Sequence, residues 1–119
     1  MKTPRIANNA AREYVRRRAP FKGSHMYAEE CRVGESILYV VYSYGEHFPM
    51  YVAETVRNPS TEQEEVHWYA NQEKFSRSTT RHQTQANPYG QDCIPMDTAD
   101  MRILARGGLM ALVKEGVRV

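Results

Sequence analysis

The chain has 119 residues and a net charge of +2, enough sequence for one domain and no more, with no partner implied by charge alone. Hydrophobic residues are 41% and charged residues 25%, and no apolar run nears the roughly 20 residues that cross a bilayer, which argues against a disordered chain and a helical membrane protein. Cys31 and Cys93 are too few for the disulfide framework of a small secreted domain, and Met-Lys-Thr-Pro-Arg-Ile carries no secretory pattern, so a reduced, cytoplasmic setting is expected.

In chain order, Asn8 to Arg18 reads as a short helix. Asn8 is a good N-cap, and Ala10, Ala11, Tyr14 and Val15 share a face. Its arginines gather at the C-terminal end, where they suit the helix dipole, and Pro20 stops it. Phe21-Lys22-Gly23-Ser24 is a turn, and residues 25–32 form a short strand. Residues 36–43 are apolar on both faces, which predicts a central strand. Tyr44-Gly45-Glu46 is a hairpin break whose glycine suits positive φ. Strands follow at 47–55 and 65–69, joined through Asn58-Pro59-Ser60 and an acidic tip at 61–65. Residues 72–91 are polar, with a short helix beginning after Ser76 or Ser78. A last helix opens at Asp97, where Gly107-Gly108 either breaks it or allows close packing.

The expected fold is a single α+β domain over residues 1–119. It is an antiparallel meander of three or four strands, with a basic N-terminal helical segment at 1–22 and a C-terminal amphipathic helix.

Charge is unevenly spread. Residues 1–22 carry seven Lys/Arg against one acid, and residues 23–71 carry two against eight. Such asymmetry bears on partners, not on fold. Three constellations can carry chemistry. Tyr44, Glu46 and His47 at a strand end offer acid/base groups, or else a packed hairpin. Residues 74–85 join Lys74, Arg77 and Arg81 to Ser76, Ser78, Thr79, Thr80 and Thr84, with His82 and Gln85. Hydroxyls and backbone N–H groups bind phosphates, and Arg and Gln read base edges. If this stretch is helical, Arg81 and Gln85 share a face. The plainer alternative is a polar loop with local Ser and Thr caps. The third is the basic helix, with Arg12, Arg16, Arg17, Arg18 and Lys22, which suits phosphates, an acidic protein, or the chain's own acidic tip. No metal-ligand spacing, phosphate-cradling glycine loop or nucleophile elbow occurs, so neither a metal nor a cofactor is expected. Trp68 is core, or more weakly a base-stacking platform.

Several stretches together carry a resemblance. They are Pro20-Phe21-Lys22-Gly23-Ser24, the run from Tyr39 to Met50, Trp68-Tyr69-Ala70-Asn71, Lys74-Phe75-Ser76, Ser78-Thr79-Thr80, His82 and Gln85. Over residues 20 to 112 the chain resembles a family of small accessory proteins encoded by bacteriophages, plasmids and their bacterial hosts. The resemblance implies a mobile-element setting in a bacterial cytoplasm and no particular activity.

Three functions follow as expectations. The first is a nucleic-acid-binding protein using Arg16, Arg17, Lys74, Arg77, Arg81 and Gln85. The second is a protein-interaction factor that modulates a host defence or regulatory complex. The third is a small hydrolase or nuclease with His47, His82, Tyr44 and Lys74 in one cleft. A homodimer is open, and would be favoured by a long exposed edge strand.

Overall fold

The computed structural model describes residues 3–74 and 76–115, so the Lys74-Phe75-Ser76 stretch is covered only at its two ends. After a 3-10 turn at Asn8–Ala10 come α1 (Ala11–Arg16), β1 (Phe21–Lys22), β2 (Met26–Val33), β3 (Ser36–Ser43), β4 (Pro49–Arg57) and β5 (Glu64–Asn71). The chain continues through α2 (Arg77–Ala86), β6 (Cys93–Met96) and α3 (Thr98–Lys114).

The fold is α+β, but the expected three- or four-stranded meander is overturned. Among the described residues one mixed sheet holds six strands in the order β1-β2-β3-β4-β5-β6. Neighbours are antiparallel from β1 to β5, while β6 runs parallel to β5. Both end strands escape a pattern reading for physical reasons. β1 is two residues inside a turn-like stretch, held by a bridge from Arg5 to Lys22. β6 is four residues long and contains Pro95, a residue that strand patterns reject outside edges. Parallel pairing needs a crossover, and α2 lies within it between β5 and β6.

β3 and β4 occupy the middle of the sheet, and alternation along them feeds two cores. Tyr39, Val41, Tyr51, Ala53 and Trp68 pack with Ala11, Val15, Phe21 and Ala86, placing α1 and α2 on one face. Leu38, Val40, Tyr42, Val52 and Tyr69 pack with Met101, Leu104 and Ala105, placing α3 on the other. Residues 36–43 are apolar on both faces because both faces are covered. Trp68 is 3% exposed, so it is core and no platform for bases.

The N-terminal helix is shorter than its pattern. Asn8 caps nothing; its side chain donates to Ser24 O (2.9 Å) and accepts from Ser24 N (2.8 Å), tying the N-terminal segment to the start of β2. Gly23 is needed there, because a Cβ would run into Asn8 Oδ1. α1 ends with Arg18 in the left-handed region (φ 53) and Ala19 N donating to Tyr14 O (2.8 Å), a Schellman-type close just before Pro20.

In α3, Asp97 is the N-cap and accepts from Asp100 N (2.9 Å). Both expectations for the paired glycines hold at once. Gly108 leaves helical geometry (φ 73, ψ −168), and the buried Glu54 of β4 closes on it. Glu54 Oε1 accepts from Leu109 N at 2.9 Å, satisfying an amide that the kink frees.

The sheet edges are short or charged. β6 is four residues long and carries Pro95, and the part of β2 beyond β1 carries Glu29, Glu30 and Arg32, devices that discourage edge-to-edge pairing. Among the described residues, no helix is long and apolar enough to cross a membrane.

Candidate functional site

α2 begins where Ser76 Oγ accepts from Thr79 N (3.1 Å), an N-cap of the usual kind. Its inward side carries Thr79, His82, Gln83 and Ala86, all buried. Gln83 is the anchor. Its Nε2 donates to Asn71 O (3.2 Å) and Glu73 O (3.1 Å), and its Oε1 accepts from Lys74 Nζ (3.0 Å). Tyr51 Oη adds a bond to Gln83 O (2.8 Å). Burial pushes the Tyr51 hydroxyl well above its ordinary range, so it stays a donor.

With its inner side so fixed, the outer side of α2 presents Arg77, Thr80, Arg81 and Thr84. Together with Lys74 and Ser76 they line one open, shallow depression. It holds three cations and three hydroxyls. Hydroxyls and guanidinium groups together supply the donors a phosphate takes.

α1 packs beside α2 in the same layer. Arg12 is the joint. Its Nε donates to Asn87 O and its Nη2 to Thr84 O, both at 2.8 Å, and its guanidinium lies 4.0 Å over the Tyr89 ring. It covers the last carbonyls of α2, where a cation suits the helix dipole. Arg12 is thereby used up internally. Arg16 and Arg17 remain exposed, the latter resting over Tyr14 at 5.1 Å. Among the described residues no ion pair holds Arg16, Arg17, Arg77 or Arg81. The acidic hairpin pairs within itself instead, Glu62 with Arg57 (3.3 Å) and Glu65 with His67 (3.5 Å).

At the β3–β4 turn, Tyr44 rather than Gly45 takes the left-handed conformation (φ 68), and His25 does likewise (φ 58). Tyr44 N donates to His25 O (2.7 Å), and the two rings stack 5.1 Å apart. Tyr44 also lies 5.4 Å from the His82 ring and is 58% exposed, so much of its side chain stays open to solvent beside α2. Left-handed geometry at a bulky side chain is costly, and two such residues side by side mark a place the rest of the fold over-determines.

His82 itself is buried, with Nδ1 2.8 Å from Ser43 Oγ. Burial, then the neighbouring His25 and Arg81, hold its pKa below the ordinary 6.5. The folded chain therefore binds a proton at His82 less readily than the unfolded chain, and stability falls as pH drops below 6.5. Denaturant melts at about pH 7.5 and about pH 5.5 are expected to show this loss, and His82→Gln is expected to shrink it. An equal loss in both proteins contradicts the assignment.

The structure thus unites Lys74, Arg77 and Arg81, and sets Arg16 and Arg17 at the end of the adjoining α1, outside that depression. Gln85 does not join them. It is half-buried and its Oε1 is buried without a partner among the described residues, so it does not project with Arg81. The cleft joining His47 and His82 does not form. His82 faces β3 and the Tyr44 ring, whereas His47 lines a cavity against α3 on the opposite side of the sheet. Tyr44 does reach His82, but Ser43, the nearest hydroxyl, is 2% exposed and closed to substrate. Cys93 is half-buried and packs on the first core; burial, then Asp92, raises its thiol, and burial with Glu29 and Glu30 does the same for Cys31. Among the described residues no cluster of His, Cys, Asp or Glu is placed to hold a metal ion.

The sequence reading missed three residues. Arg12 looked like one more arginine in a stripe, and only tertiary packing turns it inward. Ser43 and His25 gave no signal, because each gains meaning from a partner far along the chain. Comparison with family models, with curated proteins and with solved structures finds no match.

Proposed function

We propose that this chain is a small accessory protein of a mobile genetic element that binds nucleic acid through the outer face of α2. One observation carries the reading: Lys74, Arg77 and Arg81 share an open surface with Ser76, Thr80 and Thr84, and no carboxylate pairs with the two arginines among the described residues. Lys and Arg hold phosphates along that face, and the exposed Arg16 and Arg17 extend the field. Tyr44 supplies what phosphate contacts lack, an exposed ring on which a base can stack. That combination favours a single strand or an unpaired loop over a duplex, whose stacked bases offer Tyr44 no face.

The test is binding of a short single strand against the same sequence as duplex. The single strand is expected to bind tighter, and Tyr44→Ala is expected to weaken it by about tenfold while leaving duplex binding unchanged. Equal losses on both substrates sink the stacking role, and no binding to either sinks the reading.

The alternative is a protein-interaction factor that modulates a host defence or regulatory complex. Its support is the last stretch of α3, where Leu109, Met110 and Val113 are 43%, 67% and 64% exposed, an apolar strip that nothing among the described residues covers. Capture of protein partners that survives nuclease treatment would favour it.

A further inference from the structure

On the opposite face of the sheet, the β3–β4 turn and α3 enclose a cavity of about 370 Å³ lined by Tyr42, Glu46, His47, Arg102, Ala105 and Arg106. That volume is in the range of small-molecule sites. None of these residues takes part in the α2 surface, and the cavity gathers Glu46 and His47 of the hairpin constellation with Tyr42 in place of Tyr44.

The chemistry of the walls is specific. Arg102, Ala105 and Arg106 fall three and four residues apart, so all three face the hairpin from one side of α3. Arg102 Nε donates to His47 O at 2.7 Å, and Arg106 Nε donates to Arg102 O at 3.3 Å. Each guanidinium is thus held at Nε by a backbone carbonyl, and both side chains line the cavity. A pinned fork is pre-organised for an oxyanion, because less side-chain freedom is lost on binding. Ala105 is small and nearly buried, and its methyl leaves the floor open between the two arginines. Tyr42 adds a phenol. Burial, followed by Glu29, Tyr27 and Glu46, keeps that phenol protonated far above neutral pH, so it is a hydrogen-bond donor throughout the physiological range. Among the described residues Glu46 is the one acid in the lining. It opposes a bare anion and accepts from a hydroxyl or amine on the same ligand. Glu73 also lies near enough to Arg102 to feel its charge, so Arg106 is the less compensated of the two cations.

We propose that this cavity binds a small organic phosphate that also carries a hydroxyl or amine. The phosphoryl group lies between Arg102 and Arg106 with the Tyr42 hydroxyl as a third donor, and the ligand's own donor reaches Glu46. The site stands apart from the nucleic-acid reading and survives its failure.

The experiment is a titration of the full chain with ribose 5-phosphate and, separately, with inorganic phosphate, followed by amide chemical shifts. Saturable shifts are expected around Tyr42, Glu46, His47, Arg102 and Arg106, with ribose 5-phosphate binding at least several-fold tighter than inorganic phosphate. Arg106→Gln, an exposed position, is expected to weaken both by about tenfold. Glu46→Gln is expected to erase the preference for the sugar phosphate. Tyr42→Phe gives a second reading of the donor set. Neutralising Lys74, Arg77 and Arg81 is expected to leave these titrations unchanged, which separates the two sites. Shifts spread evenly over all exposed arginines, or unaltered affinity in Arg106→Gln, overturn the proposal.

Discussion

Replacing Lys74, Arg77 and Arg81 together by glutamine is expected to weaken binding of a single-stranded oligonucleotide by about 100-fold at roughly 0.1 M salt. The figure follows from counterion release. Each phosphate contact on a single strand contributes about 0.7 to the slope of log K against log salt, so three contacts contribute about 2 log units between roughly 1 M and 0.1 M. The three side chains qualify because they line one surface and the two arginines are exposed and unpaired among the described residues. Their removal has little to disturb in the fold. Among the described residues only Lys74 has an internal partner, Gln83 Oε1 at 3.0 Å, and Gln83 keeps its two bonds to Asn71 and Glu73 without it. The melting temperature of the triple variant is therefore expected to stay close to that of the parent, within the small range typical of surface changes. A variant that melts normally and binds as tightly as the parent contradicts the assignment of the surface.

The largest expected stability effect belongs to Gly108→Ala. Gly108 sits at φ 73 and ψ −168, a region that is essentially closed to side chains bearing a Cβ. The added carbon would lie 2.6 Å from Glu54 Oε2, well inside contact distance. Relief would require moving a buried carboxylate away from Leu109 N and so leaving an amide unsatisfied. Backbone strain plus the displaced hydrogen bond amount to about 3 kcal/mol, or on the order of 10 °C in Tm for a domain this size. Gly107→Ala provides the contrast. Gly107 has no positive φ, so although its Cβ would crowd Ala111 Cβ, the backbone-strain part of the loss is absent and the total is expected to be smaller. A Gly108→Ala protein as stable as the parent would show that the α3 kink is not anchored by Glu54.

How far the sequence foretells this architecture depends on the length of each element. β3, apolar on both faces, announces a strand covered on both sides, and the two cores built on Tyr39, Val41 and on Leu38, Val40 bear that out. Asp97 announces its own helix start, because an N-cap is a local device. The ends of the sheet stay hidden, since Phe21–Lys22 and Cys93–Met96 are strands only by virtue of what they pair with. The same divide runs through the site. Arg77 and Arg81 lie one turn apart on α2 and Lys74 stands just ahead of its N-cap, so short spacing is enough to gather them. Gln85 misleads because its four-residue spacing from Arg81 places it on the flank of α2, where its amide is drawn inward. His47 and His82 mislead because residue type says nothing of which side of a sheet each faces. Ser43 and Arg12 are legible only from their partners, His82 and the carbonyls of Thr84 and Asn87.

The most direct test of the nucleic-acid surface is the affinity of the unaltered chain for a single-stranded oligonucleotide measured across salt concentrations. A straight line of log K against log salt is expected, with a slope near −2 or steeper, to which Arg16 and Arg17 add where the strand reaches them. A slope indistinguishable from zero, with binding present, would mean that contacts other than the cations of α2 hold the ligand, and would contradict the assignment.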